Sequence, residues 1–283
     1  METKDEKAVC PVCPHHCALA MGETGACRVR KHTKEGIIPL NYGVASSLAL
    51  DPIEKKPLAR FMPGSKILSV GSYGCNMRCA FCQNHEISQI GADTAWDPDH
   101  IITPEELVDT AVRYRESHGN IGIAYTYNEP LIAYEYVRDC SKLAREKGLV
   151  NVIVTNGMVE ASIMDKILPY TDALNIDLKA FTDEAYRRMG GDLDTVKQNI
   201  KRAALLAHVE VTSLIVPGIN DNVLDMDREA AWLSEMDRDI PLHITRFFPM
   251  YRMRGAEPTD LRLMYRLRDA AGKYLKYVYL GNI

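Results

Sequence analysis

Three cysteines lie within eight residues of one another, in a stretch rich in Gly and Asn, with the spacing C-x3-C-x2-C. They are Cys75, Cys79 and Cys82. A four-iron cluster usually takes four cysteine thiolates, so three ligands would leave one iron open to a substrate or cofactor. The alternatives are a helix that buries the thiols and a zinc site completed by His85. Gly74, Asn76 and Asn84 favour a loop, and we therefore predict an iron–sulfur cluster here.

Four further cysteines lie near the amino terminus, within 18 residues. They are Cys10, Cys13, Cys17 and Cys27. Soft ligands at this spacing, with His15 and His16 as substitutes, indicate zinc or an auxiliary iron–sulfur cluster. We favour zinc, because the segment can close a four-ligand site by itself. The segment is too short to bury a core unaided, so a bound metal would have to organise it.

Composition and charge restrict the location and the partners of the chain. An even number of cysteines would suit disulfides in a secreted protein, but the charged amino terminus is followed by no apolar export segment. No apolar run approaches the length of about 18 residues that a membrane span requires. The net charge of −4 lacks the basic excess that nucleic acid selects. We expect a cytoplasmic protein without a nucleic-acid or membrane partner, and a buried structural thiol at Cys140.

Short apolar runs alternate with helical patterns from residue 66 onward. The predicted strands are residues 66–71, 121–127, 150–155, 173–179, 209–216, 242–246 and 277–280. Because this order requires parallel strands with right-handed crossovers, it favours an α/β fold, a full or partial (β/α)6 TIM-type barrel. A doubly wound open sheet is the alternative. The three-cysteine loop follows the first strand, at the end where such folds carry their chemistry.

Residues 1–64 are interpreted as a Cys-rich metal-binding segment with an irregular connection, and residues 65–283 as the barrel domain. Four prolines break any long helix between residues 28 and 64. Thr103 is expected to cap a helix that begins at Pro104. Apolar spacing predicts another helix over residues 194–207.

The three-cysteine motif, with Phe81 before its last cysteine, resembles the radical S-adenosylmethionine (SAM) superfamily over about residues 66–250. Within that superfamily the chain is similar to pyruvate formate-lyase activating enzyme and other activating enzymes of glycyl radical proteins. Three segments make it most similar to the radical SAM enzymes of the AmmeMemoRadiSam system, over nearly the whole chain. These segments are residues 10–17, 51–57 and 126–130.

The resemblance implies a 4Fe–4S cluster on the three cysteines and SAM at the open iron. It implies reductive cleavage of SAM to methionine and a 5′-deoxyadenosyl radical, which abstracts hydrogen from a substrate. It also implies an electron donor such as flavodoxin or ferredoxin and, in activating enzymes, a protein substrate. The cofactor contacts that it suggests are Asn128, Glu129, Thr155, Asn156, Asp177, Lys179 and His243. No side chain is given a catalytic role.

Several of these residues have a structural interpretation as well. Glu129 could merely open the helix that follows it, and His243 could be a satisfied core histidine. Asp177 and Lys179 share a strand face, so they could form an ion pair inside the barrel. Activating enzymes carry Ser-Gly-Gly-Glu-Pro where this chain has Thr-Tyr-Asn-Glu-Pro at residues 126–130, so two glycines are replaced.

We therefore predict a radical SAM enzyme, an oxidoreductase similar to pyruvate formate-lyase activating enzyme. Radical modification of a small molecule is the second interpretation of its activity. A non-enzymatic iron–sulfur electron carrier or metal-binding module is the alternative of a different class. A change in the cluster's spectrum on addition of SAM would separate the enzyme from the carrier.

Overall fold

A computed structural model describes residues 7–90 and 101–283 of the chain. Its amino-terminal part carries two small antiparallel pairs, β1 (Ala8–Val9) with β2 (Ala18–Leu19) and β3 (Arg30–Thr33) with β4 (Gly36–Pro39). An eight-stranded sheet follows. Its strands are β5 (Ser47–Pro52), β6 (Lys66–Gly71), β7 (Asn120–Tyr125), β8 (Val150–Thr155), β9 (Ala173–Asp177), β10 (His208–Ile215), β11 (Leu242–Arg246) and β12 (Val278–Gly281).

Strands β6 to β12 lie side by side in chain order and run parallel, whereas β5 pairs antiparallel with β6 at one edge. A doubly wound sheet requires the strand order to reverse at a switch point. Here the order never reverses, so right-handed crossovers place the intervening helices on one face, as in a barrel. Within the described residues no pairing joins β5 to β12. The TIM-type prediction is confirmed as a partial barrel, and the doubly wound alternative is wrong.

Helices connect the parallel strands. They are α1 (His85–Ser88), α2 (Pro104–His118), α3 (Tyr134–Glu146), α4 (Ala161–Ile167), α5 (Asp183–Arg188), α6 (Leu193–Ala204), α7 (Val223–Met236) and α8 (Leu261–Ala271). Short 3-10 helices span Ile53–Lys55, Pro130–Ala133, Leu168–Tyr170 and Tyr251–Met253. None of the helices in the two described ranges has the length and apolar character needed to cross a bilayer.

The predicted element boundaries are confirmed in part. Thr103 caps α2 in a reciprocal capping box with Glu106, and Pro104 is the first helical residue, as expected. The predicted helix over 194–207 begins one residue earlier, because Asp192 caps it through the backbone N–H of Thr195 at 2.8 Å. It ends at Ala204. The strand predicted over 121–127 ends at residue 125.

The interpretation of residues 28–64 as irregular structure is wrong. This stretch contains the hairpin β3–β4 and the edge strand β5, which extends the central sheet across the predicted boundary between residues 64 and 65. Most of β5 is exposed, including Leu48, so the strand lacks the buried apolar run that identified the others. Pro52 ends it, which is permitted at a sheet edge.

Residues 53–60, here named the plug, fill the lower part of the barrel interior. Ile53 and Leu58 are fully buried in an apolar layer with residues of β6 to β9. The side-chain amide of Asn175 donates to the plug's backbone carbonyl at residue 57 at 2.8 Å. The Glu210 carboxylate accepts from two consecutive plug N–H groups at 2.9 and 2.7 Å. Polar groups on the inner faces of β9 and β10 therefore hold the plug in place.

Candidate functional site

A cavity of about 720 Å³ lies at the carboxyl ends of the parallel strands, above the plug. Its volume is within the usual range of small-molecule sites, about 300–1,000 Å³. Its wall contains all three cysteines of the C-x3-C-x2-C motif and every residue that the sequence suggested as a cofactor contact. These are Cys75, Cys79, Cys82, Asn128, Glu129, Thr155, Asn156, Asp177, Lys179 and His243. The structure thus brings the whole set together, while each residue's role towards a cofactor stays a prediction.

The cysteine motif lies in a loop, residues 72–84, that contains no helix or strand. Gly74 has φ of 84°, and a Cβ atom there would lie 2.6 Å from Cγ1 of Val29. Glycine is therefore needed both for the backbone angle and for the close packing. The predicted loop is confirmed, and the alternative of a helix is wrong.

The three thiols suit an iron–sulfur cluster by their chemistry and by their placement. Cys79 is buried and the other two are partly buried, all facing the same cavity. Burial raises the pKa of Cys79 to about 11, against the opposing charge of Lys179, and raises the pKa of Cys75 as well. Because thiolates are the metal-binding form, loading this site must release protons. In the described parts of the chain, no three His, Cys, Asp or Glu side chains are grouped to hold a single metal ion.

Two asparagines pack beside Cys75. The Nδ2 atom of Asn156 lies 3.6 Å from Sγ of Cys75 and 2.9 Å from Oδ1 of Asn76. Asn76 is buried and donates through its own amide to the carbonyl of Met158 at 2.6 Å. Hydrogen bonds to ligand sulfur tune the potential of a cluster, so Asn156 is placed to affect it.

Glu129 is only 2% exposed and uses both carboxylate oxygens. Oε1 accepts from Oγ1 of Thr155 at 2.7 Å and from the backbone N–H of Leu131 at 3.0 Å. Oε2 accepts from the backbone N–H of Asn156 at 2.7 Å. Burial raises the pKa of Glu129 to about 7. Glu129 therefore caps the 3-10 helix that follows it, as its structural interpretation held, and also joins the ends of β7 and β8 at the cavity.

Asn128 directs its side chain to the backbone of the cysteine loop. Its Oδ1 atom accepts from the N–H of Ser72 at 3.0 Å. Its Nδ2 atom donates to the carbonyls of Tyr73 and Gly74 at 3.0 and 3.1 Å. These contacts shape the start of the loop that carries the cysteines.

Asp177 and Lys179 form an ion pair, with Nζ 2.8 Å from Oδ2. Burial lowers the pKa of Lys179, but the charges of Asp177 and Cys79 outweigh burial and raise it overall. The ammonium is therefore charged at neutral pH and lies close enough to Cys79 to affect its pKa. The pair is structural in part, as its alternative interpretation held, and it lines the cavity next to the cysteines.

His243 is engaged by a buried carboxylate. Its Nε2 atom lies 2.6 Å from Oε2 of Glu210, and its ring stacks on Tyr279 with centroids 5.3 Å apart. Burial alone would raise the pKa of Glu210, but hydrogen bonds from His208, His243 and the plug lower it to about 2. His243 thus has the partner expected of a satisfied core histidine while one part of it faces the cavity.

Sequence reasoning gave no role to Asp51, Lys56 and Tyr127, which meet at the plug side of the cavity. The Tyr127 hydroxyl donates to Oδ2 of Asp51 at 2.7 Å, and Nζ of Lys56 donates to the same oxygen at 2.8 Å. Lys56 is 1% exposed. All three lie in segments 51–57 and 126–130, which carry the family resemblance, but the sequence did not indicate that these segments touch.

The amino-terminal cysteines pack against the cysteine loop. Three of the four are buried and Cys17 is partly buried. Burial raises the pKa of Cys13 to about 12, and the charges of Cys27 and Cys10 make smaller contributions in the same direction. Next to Cys13, Nε2 of His15 lies 2.7 Å from the backbone carbonyl of Asn76. The identity of a metal at this segment stays a prediction.

Comparisons with known proteins agree on one family. A family model described as the Radical SAM superfamily matches residues 69–231, more than half of the chain. The chain is 42% identical over 282 residues to Uncharacterized protein MJ0808 of Methanocaldococcus jannaschii, covering 99% of this chain and 82% of that protein. It is 26% identical over 226 residues to pyruvate formate-lyase 1-activating enzyme of Escherichia coli strain K12, covering 71% and 86%.

A solved structure shares the fold. The crystal structure of QueE from Escherichia coli matches with a TM-score of 0.55 at 15% identity, covering 85% of this chain and 94% of that one. The family model, the relative at 42% identity and the cysteine-lined cavity of a partial barrel point the same way, and the chain belongs to the radical SAM superfamily.

Proposed function

We propose that this chain binds a 4Fe–4S cluster through Cys75, Cys79 and Cys82 and uses SAM in the adjoining cavity to abstract hydrogen from a substrate. The observation that carries the proposal is the convergence of three thiols and seven polar residues from separate segments on one cavity. The radical SAM superfamily uses both cofactors, and the donor set suits them. When bound and supplied with one electron by a reductant, these cofactors would supply the radical chemistry that takes a hydrogen atom from the substrate.

The residues of the chain contribute binding, orientation and exclusion of water. Glu129 and Lys179 bring opposite charges to the cavity wall near the cysteines. We assign the Glu129 carboxylate to the positive amino group of SAM. We assign Lys179 to a negative group, because an ammonium has three donors and the ion pair with Asp177 uses only one of them. Thr155 and Asn156 hold Glu129 in place, and Asn128 holds the loop that carries the cluster.

Anaerobic reconstitution tests the proposal. The protein should bind about four irons on this motif, its spectrum should change on addition of SAM, and dithionite with SAM should release 5′-deoxyadenosine. The matched control omits dithionite. A cluster whose spectrum ignores SAM would contradict the proposal and favour a simple electron carrier.

The substrate decides the reaction class. The relative named pyruvate formate-lyase 1-activating enzyme supports a protein substrate here. A protein that gains a glycyl radical doublet in electron paramagnetic resonance would establish glycyl activation, whereas coupled formation of a diffusible product would establish modification of a small molecule. The proposed electron donor is a flavodoxin or ferredoxin in the cytoplasm.

The predicted cytoplasmic location depends partly on the charged amino terminus. Residues 1–6 of that terminus lie outside the described residues.

A further inference from the structure

Tyr127 has a backbone conformation that suits glycine. Its φ is 73°, and the N–H of Asn128 donates to the carbonyl of Thr126 at 3.0 Å, which closes a γ-turn around Tyr127. A bulky side chain with positive φ is strained, whereas glycine adopts this conformation freely. Tyr127 therefore has a backbone conformation that glycine would adopt without strain, although Tyr127 carries a large side chain.

Buried charges hold the Tyr127 side chain in place. Asp51 accepts its hydroxyl at 2.7 Å, and Nζ of Lys56 lies 4.7 Å from the centre of its ring. Burial and the hydrogen bond to Asp51 raise the pKa of Tyr127 to about 12, so the phenol remains a donor at neutral pH. Lys55, on the surface, lies 3.2 Å from the other oxygen of Asp51. The contacts within this group offset the strain in the turn.

The same turn contacts the cysteine loop at both ends. A Cβ atom at Gly71, just before the loop, would lie 2.7 Å from Cδ2 of Tyr127, so the ring packs directly on that glycine. At the far end, Nδ2 of Asn84 donates to the carbonyl of Tyr127 at 2.6 Å. The next two residues of the chain are Asn128, which binds the loop backbone, and Glu129.

We propose that Asp51 and Lys56 are positioning residues that act through Tyr127. They hold its γ-turn in the left-handed conformation, and the turn fixes the cluster-binding loop and the Glu129 carboxylate relative to each other. The part of this inference that concerns SAM rests on the proposed function. The part that concerns the cysteine loop requires only that the loop holds iron, and does not depend on the use of SAM.

The backbone role is tested by comparing Tyr127→Gly with Tyr127→Ala. Both variants lose the ring and the hydroxyl, but only Gly adopts positive φ without strain. We expect the Ala variant to bind SAM about fivefold more weakly than the Gly variant and to lose iron to a chelator faster. The affinity is measured from the SAM-induced change in the electron paramagnetic resonance spectrum of the reduced cluster, in samples frozen before SAM is cleaved.

A second comparison tests whether Asp51 acts through the tyrosine. Asp51→Asn should weaken SAM binding about tenfold in the wild-type background and have little further effect in the Tyr127→Gly background. Asp139→Asn is the matched control, because it removes another tyrosine–aspartate bond, from the Tyr42 hydroxyl at 2.9 Å, on α3. If Asp51→Asn fails to fold, the double variant Asp51→Asn with Lys56→Met is used in its place, because it removes both buried charges.

Equal SAM affinity and equal iron loss in the Gly and Ala variants would overturn the inference, as would the same loss from Asp51→Asn in both backgrounds. Failure of the proposed function would look different. In that case wild-type protein would bind iron without responding to SAM, and the rates of iron loss from the Gly and Ala variants would still decide whether the turn holds the loop.

Discussion

The backbone N–H of Asn156 donates to Oε2 of Glu129 at 2.7 Å, so one buried carboxylate connects the segment after β7 with the end of β8. Oγ1 of Thr155 binds the other oxygen of the same carboxylate. Both segments contact the cysteine loop, through Asn128 and Asn156, and the Glu129 side chain therefore fixes them relative to each other.

Glu129→Gln should destabilise the protein by about 1–3 kcal/mol, because the new amide N–H₂ would face the N–H of Asn156 and leave a buried donor without an acceptor. Denaturant unfolding of anaerobic protein measures the change. Glu160→Gln is the control, since Glu160 makes only a partly exposed contact with His16. Equal destabilisation by the two substitutions would contradict this account of Glu129.

Cys79→Ala should abolish release of 5′-deoxyadenosine and strongly reduce iron binding, because two thiolates cannot replace the three that face the cavity. Iron analysis and product chromatography measure both effects. Cys140→Ala is the control, since Cys140 is fully buried, as expected from the sequence, and lies in α3 outside the cavity wall. Retention of full activity in Cys79→Ala would be incompatible with a cluster at this loop.

Cys13→Ser should release one zinc per chain and leave the cluster iron in place, if the amino-terminal cysteines form the zinc site that their spacing favours. Metal analysis of wild-type and variant protein, prepared side by side without oxygen, gives the answer. A loss of iron in place of zinc would instead identify an auxiliary cluster. In either case a chelator should remove the iron that stays on the cysteine loop faster than in wild-type protein, because the segment packs on Asn76 through His15.

Stability should fall as the pH rises from about 5 to 8, because burial raises the pKa of Glu229 to about 8. The unfolded chain releases this proton near the ordinary pKa of glutamate, so in that window it binds fewer protons than the folded chain. The resulting slope is about −1.4 kcal/mol per pH unit for one group. Unfolding of Glu229→Gln across the same pH range should lack this contribution.

The contacts of Glu229 agree with a protonated carboxyl. Ser213 has one proton, and its hydroxyl lies 2.9 Å from the carbonyl of Leu178, to which it can donate. The Glu229 carboxyl, hydrogen-bonded to the same hydroxyl, then supplies the proton of their shared bond. An unchanged pH profile in the Gln variant would show that Glu229 is ionised in the folded protein.

The features that could be predicted from the sequence are those set by neighbouring residues. Cysteine spacing and apolar runs are properties of neighbouring residues, so the cluster loop, the parallel strands and the cap at Thr103 could be predicted. The bond between Asp51 and Tyr127 joins residues 76 positions apart. Nothing in either local segment specifies that contact. Most of β5 is exposed, so no buried apolar run identifies the strand that carries Asp51.

The plug also closes one end of the barrel interior. Its apolar side chains fill the lower interior, and Arg60 closes the nearby rim by stacking its guanidinium 4.2 Å from the ring centre of Tyr277, just before β12. Within the described residues, the plug therefore closes the base of the cavity, which opens at the carboxyl ends of the strands. If the cavity holds SAM as proposed, methionine and nucleoside would leave through that opening before another SAM enters.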